Sequence, residues 1–254
     1  LGAAAVLAEA ADDAEPRVRA RSLVRRALLV ARDGRAAEAA ELLERAAAAD
    51  ESDPIACEML GSLLGWAPEV VTRQRSATAY LEAATRRAAR GDVDAAREDR
   101  LRAFEACPTS EAAARAVARV LDEEGRGAAA DEVLRDHALA LVVAGEDAAA
   151  CAVHNDRIAR ALAAAEPGRA LGAVLDLGVA ETDPRRAVGV DEVLGRVGLY
   201  ELLALRVAAR ARSAREHDPR AAAGAYLELA QLASGPLASE ERELEARIEA
   251  AVLD

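Results

Sequence analysis

Residues 77–110 read ATAYLEAATRRAARGDVDAAREDRLRAFEACPTS, and residues 111–144 read EAAARAVARVLDEEGRGAAADEVLRDHALALVVA. The two stretches are contiguous and equally long, and Gly91 and Gly125 stand 34 residues apart. Each glycine follows a run whose apolar residues recur every three to four positions, and a second such run comes after it. A glycine just past the last periodic residue stops a helix, because that position takes a left-handed backbone that side chains resist. The first unit predicts a helix, the turn Arg90-Gly91-Asp92 and a second helix running to Pro108. The second predicts a helix, the turn Glu124-Gly125-Arg126 and a helix through Ala138.

The same alternation extends outward. Residues 1–12 read as helix. Pro16 opens a helix whose stripe is Val18, Leu23, Ala27 and Val30, and Asp33-Gly34 ends it. Ala36–Ala49 follows, then a loop in which Asp53 caps and Pro54 opens Ile55–Leu64. Gly65-Trp66-Ala67-Pro68 interrupts the pattern before a long helix over 69–90. Beyond Gly145-Glu146-Asp147 the expected helices are Ala148–Ala165, Ala170–Ala180, Asp183 to Arg196, Leu199–Glu216, Arg220–Ala233 and Glu240–Leu253. Glu166-Pro167-Gly168, Gly198, Asp218-Pro219 and Ser234-Gly235-Pro236 punctuate them. Ser239 caps the last helix, whose first turn is acidic, as the helix dipole favours. That is about fourteen helices and no strand. Connections this short make neighbouring helices antiparallel.

Composition bounds the chemistry. Of 254 residues, 52% are hydrophobic but only 2% aromatic. Much of the apolar share is alanine, the best helix former, which suits thin layers of close helices better than a wide core. Lysine is absent, so all 33 basic residues are arginine and no P-loop, Schiff-base or pyridoxal lysine exists. Both this and the single asparagine, Asn155, fit a bacterial-like high-GC coding bias. The net charge of −12 argues against nucleic acid or an anionic membrane as partner. Three scattered cysteines, Cys57, Cys107 and Cys151, build no disulfide framework and point to a reducing, cytoplasmic setting. No long uncharged apolar run spans a membrane, and residues 1–11 lack the basic start of a signal peptide. The chain begins at Leu1 and not Met, which suggests a segment of a longer protein.

These units resemble the tetratricopeptide repeat family of stacked helix hairpins. In 77–110 the large and small packing positions are met by Tyr80, Ala84, Ala96 and Ala103, with Pro108 near the end; Arg100 departs from the apolar residue usual at its place. In 111–144 Val117, Ala118, Leu121, Ala130 and Leu134 match, and His137 stands where a small residue is usual. Residues 20–53 match with Leu23, Ala27, Val30, Ala39, Leu43 and Ala46. Weaker matches are 154–187, aligned on Gly168 (Ala161, Ala173, Leu177, Ala180), and 204–237 (Val207, Ala211, Ala223, Leu227, Ala230). Residues 54–76, 145–153 and 188–203 break the period. The resemblance implies an all-α fold over 1–254: one α-solenoid of about seven stacked antiparallel helix hairpins, a superhelix irregular in places.

The resemblance also implies a non-catalytic scaffold that binds a partner protein or peptide on a concave surface. Its groove-facing positions fall on Arg21, Val24, Arg25, Leu28 and Arg32, on Thr78, Leu81, Glu82 and Thr85, and on Arg115, Arg119, Asp122 and Glu123. Arg21, Arg25, Arg32, Thr85, Arg115 and Arg119 are the candidate contacts, and their arginines suit capture of an acidic segment. The lysine clamp that some relatives use for chaperone tails cannot be built. A sensor or regulatory segment of a larger protein is the alternative, and self-association through incompletely capped ends is a further expectation. No catalytic set, metal site or cofactor is expected. Cys151 and His154 have two-ligand spacing but no second pair, so they read as a core cysteine and a surface histidine. Gly125-Arg126-Gly127 follows a helix and not a strand, so it reads as a repeat turn and not a dinucleotide loop. Ser62 lies outside any nucleophile elbow. The many carboxylates read as solvated helix faces.

Overall fold

The structure is a computed structural model that describes residues 15–178 and 189–253. The helix expected over residues 1–12 and the helix start expected at Asp183-Pro184 lie outside the described residues. Within them every regular element is an α-helix. In order they are α1 (Pro16–Arg32), α2 (Ala36–Ala49), α3 (Ile55–Leu64), α4 (Val70–Ala89), α5 (Val93–Ala106), α6 (Glu111–Glu123), α7 (Gly127–Val143), α8 (Asp147–Ala163), α9 (Pro167–Leu177), α10 (Val190–Arg196), α11 (Tyr200–Ala214), α12 (Pro219–Ser234) and α13 (Glu240–Leu253). The chain divides at Ala140 and Leu141 into two compact units. In the first, each helix from α1 to α5 packs on the next, and α4 also touches α6. In the second, α8 to α12 do the same, and α8 also touches α10. Packing on sequence neighbours, with contacts one helix further on, is the architecture of an α-solenoid.

One turn recurs along the chain. After α1, α4, α6, α7, α8 and α10 a single residue takes a left-handed conformation: Gly34, Gly91, Gly125, Gly145, Ala165 and Gly198. The next residue's N–H donates to the carbonyl five positions back in every case: Arg35 to Val30, Asp92 to Arg87, Arg126 to Leu121, Glu146 to Leu141, Glu166 to Ala161 and Leu199 to Leu194, all between 2.7 and 3.2 Å. This ties off the orphan carbonyls of the finished helix. The donating residue immediately precedes the next helix, so the chain reverses within three residues. Side chains then secure some starts, as where Asp92 accepts from Ala95 N–H and Asp218 from Ala221 N–H.

In the fourth sequence unit the turn falls earlier than expected. Its alignment on Gly168 expected a turn at Glu166-Pro167-Gly168. The left-handed residue is instead Ala165, with φ 56°, and Pro167 is already the first residue of α9. Proline suits a first helical position because the amide hydrogen it lacks has no partner there. The helix through Ala138 runs on to Val143, and Gly145 closes it with the same turn.

Alanine dominates the buried positions. Ala39, Ala46, Ala83, Ala96, Ala103, Ala113, Ala130, Ala138, Ala173, Ala211 and Ala222 are all fully enclosed. Larger residues fill between them: Leu23, Leu42, Leu43, Leu60 and Leu64 in the first unit, and Ile158, Val174, Leu194, Val207 and Tyr226 in the second. Where α3 crosses α4 even alanine is too large. A Cβ on Gly61 would lie 2.7 Å from the Tyr80 ring, and buried Ser76 donates to the Gly61 carbonyl at 2.6 Å. His137 is buried too, and its Nδ1–H donates to the Pro108 carbonyl at 2.7 Å, tying α7 to the loop before α6.

A left-handed alanine costs about 1 kcal/mol relative to glycine. Ala165→Gly is therefore expected to raise the unfolding free energy of its unit by about 1 kcal/mol, and Gly125→Ala to lower that of the other by a similar amount. Urea titrations followed by circular dichroism check both, and a neutral Ala165→Gly would mean that the turn bears no strain.

Candidate functional site

The first unit holds an open groove of about 1090 Å³ between α2, α3 and α4. One wall is a stripe of α4: Val71, Gln74, Arg75, Thr78, Glu82 and Thr85, all exposed and spaced at helical intervals. The other is Glu44, Ala47 and Ala48 of α2 with Glu51 and Ser52 of the next loop. Cys57, Leu60 and Ala79 make an apolar floor. Burial raises the Cys57 thiol above its ordinary range, so it stays protonated and neutral.

The charges around this groove are largely engaged within the protein. Arg75 bridges to Glu44 across it at 2.5 Å. Arg86 bonds Glu82 on its own helix at 3.0 Å. Its Nη1 donates to three carbonyls at the end of α2 and in the following loop: Ala47 at 3.1 Å, Asp50 at 3.0 Å and Asp53 at 3.0 Å. One guanidinium thus caps the C-terminus of α2, where the dipole favours a cation. Asp50 holds the loop itself by accepting from the Ser52 amide and hydroxyl, and the Ser52 hydroxyl bond is the main reason its carboxyl sits below the usual range.

The candidate contacts fall in three places. Thr85 lines the groove, together with Thr78 and Glu82; Leu81 packs against the cluster around Tyr80 and Cys107. Arg21, Arg25 and Arg32 are exposed on α1, and Arg115 and Arg119 are exposed on α6. Arg115 pairs with Glu111 on its own helix at 2.8 Å. None of these five arginines lines the groove; Arg75, Arg86 and Arg90 do. Arg75 was missed because it precedes residue 77, where the repeat register begins. Arg86 and Arg90 were missed because that register did not count them among its groove positions.

A second feature escaped the reading of carboxylates as solvated faces. Asp99 of α5 is fully buried. It lies 3.1 Å from Arg87 and 3.8 Å from Arg102, yet neither of its oxygens makes an aligned hydrogen bond. The same two arginines pair with Glu58 of α3, and Arg102 also with Glu98. Three helices are thereby joined by shared charge. Burial pushes the Asp99 carboxyl up to about 6; Arg87 and Arg102 pull it down, while Glu58 and Glu98 add to the rise. A sequence signal existed, since Asp99 falls on the buried face of α5 with Ala96 and Ala103.

His154, read as a surface histidine, is buried, and Cys151, read as a core cysteine, is only half-buried. The Arg157 guanidinium donates to His154 Nδ1 at 3.0 Å and to Asp176 at 2.8 Å. Among the described residues no group of three or more histidine, cysteine and acidic side chains is placed to hold a metal ion, and no helix is long and apolar enough to cross a membrane. Gly125-Arg126-Gly127 forms the recurrent helix-to-helix turn. Compared with models of known protein families the chain matches none, and among curated proteins none is significantly similar.

Two predictions follow from these charges. Arg86→Met keeps the packed stem but strips three loop carbonyls of their donor, and should cost about 2 kcal/mol in denaturant titration. Asp99 is harder to ionise folded than unfolded, so the stability it contributes is fully present below about 4 and is lost as pH rises through about 6. Asp99→Asn lacks that loss. Its unfolding free energy relative to the parent chain should therefore rise by about 2 kcal/mol between pH 4 and pH 6.5. A difference that stays flat over this range would show that Asp99 titrates normally.

Proposed function

We propose that this chain is a non-catalytic binding scaffold of tetratricopeptide type that holds a segment of a partner protein in the α2–α4 groove. The observation that carries the reading is the exposed α4 stripe, which forms one wall of an open groove with an apolar floor. Thr78, Glu82 and Thr85 on that wall are positions where the repeat resemblance places ligand contacts. Thr78 and Thr85 donate their hydroxyl hydrogens to Gln74 and Leu81 carbonyls on their own helix. Their oxygens keep lone pairs directed at a donor such as a partner's backbone N–H. Arg75 and Arg86 are engaged by Glu44, Glu82 and loop carbonyls, so the occupant is selected by apolar side chains and backbone polarity more than by acidic charge. The openness of the groove favours binding over catalysis, which depends on groups held out of bulk water.

Capture from the native cell extract tests the reading. Thr78→Arg with Thr85→Arg fills the groove from an exposed helix face, so helicity should be unchanged while captured partner falls at least about tenfold, more than 1.4 kcal/mol. Arg115→Ala with Arg119→Ala should leave capture intact. A groove-filled chain that captures as well as the parent would move the binding surface elsewhere.

A further inference from the structure

We propose that the outer face of α1 in one copy of this chain docks, in parallel, on the outer face of α13 in a second copy. Both faces mix exposed apolar side chains with exposed charges. On α13 Leu244, Ile248 and Val252 are 62%, 54% and 69% exposed and recur every fourth residue. Glu241 and Glu245 lie on the same stripe, exposed and without an ion pair among the described residues. On α1 Val18 and Leu28 are 53% and 51% exposed, with Leu29 beside them. Arg21, Arg25 and Arg32 share that stripe, also exposed and without an ion pair among the described residues.

The two faces are complementary in charge and in spacing. Helix α1 carries six arginines and no acid, whereas α13 carries five glutamates against two arginines. Both of those arginines are engaged, Arg242 by Glu201 and Arg247 by Glu243. Residues four apart on a helix are separated by about 6 Å along its axis. In parallel alignment Arg21 meets Glu241, Arg25 meets Glu245 and Leu28 meets Ile248 within one register. An antiparallel alignment that pairs Arg21 with Glu245 and Arg25 with Glu241 would carry Leu28 and Leu29 past the start of α13. The α13 face continues into a hollow of about 540 Å³ with α11 and α12, where Leu205, Tyr226, Leu229 and Ile248 can receive Leu29. A second copy is the occupant that the molecule itself supplies with the matching charge. Contact of unlike faces is heterologous, so association can continue beyond a dimer.

The test is the weight-average mass of the full chain by light scattering, from micromolar to near-millimolar concentration. The net charge of −12 repels copies while the local pairs attract them, so added salt acts in both directions and charge reversal decides instead. The parent chain should rise above one-chain mass with concentration. Glu241→Arg with Glu245→Arg should weaken this at least about tenfold, as should Arg21→Glu with Arg25→Glu. An equimolar mixture of the two variants should recover it, because each of its junctions again joins opposite charges. If a reversed chain loses helicity, Leu244→Ser with Ile248→Ser gives the same reading without altering charge. A parent chain that stays at one-chain mass throughout overturns the proposal. So does a Glu241→Arg, Glu245→Arg chain that associates as strongly as the parent, or a mixture that fails to recover.

Discussion

The tight reversal with one left-handed residue is the constraint on which the rest depends. Its hydrogen bond to the carbonyl five residues back ends one helix, and the donating residue precedes the next. A connection so short leaves the second helix no choice but to lie antiparallel beside the first. Close approach then favours alanine at the crossings, and at α3–α4 it demands glycine. Where the joined helices pack, as α1 on α2, α4 on α5, α8 on α9 and α10 on α11, one backbone device sets the pairing.

A core built of alanine supplies little burial per residue. Charge contributes across the gaps. Arg86 joins α4 to the end of α2, and Arg87 and Arg102 join α3, α4 and α5 through Glu58 and Asp99. In the second unit Asp191 links Arg206 and Arg210, and Arg210 reaches on to Glu228. A chain with no lysine is suited to this, since one guanidinium can serve two partners at fixed angles. The arrangement has a cost. Asp99 is enclosed between two arginines and still lacks an aligned hydrogen bond, and its burial displaces its carboxyl far from the usual range.

The surfaces left over are of two kinds. The α4 stripe faces a groove whose charges are satisfied internally, which leaves apolar area and threonine oxygens for recognition. The outer faces of α1 and α13 combine apolar side chains with charges that have no ion-pair partner among the described residues. The two surfaces lie on different helices and differ in chemistry.

The sequence by itself determined the helices and most of their ends. Apolar spacing marks α1 to α7, and Gly34, Gly91, Gly125, Gly145 and Gly198 mark where chains turn, because glycine alone takes the left-handed backbone without strain. Those are local properties, readable one segment at a time. Only the tertiary structure decided that Ala165 takes the same conformation, that Asp99 and His154 are enclosed, and that Arg75, Arg86 and Arg90 line the groove while Arg21 and Arg115 do not. Each of these depends on how a neighbouring helix is rotated and how near it stands. A side chain's partners across that gap come from residues tens of positions away, as Arg86 finds the carbonyls of Ala47 and Asp50. Periodicity says which face of a helix is inward, but not which neighbour covers it.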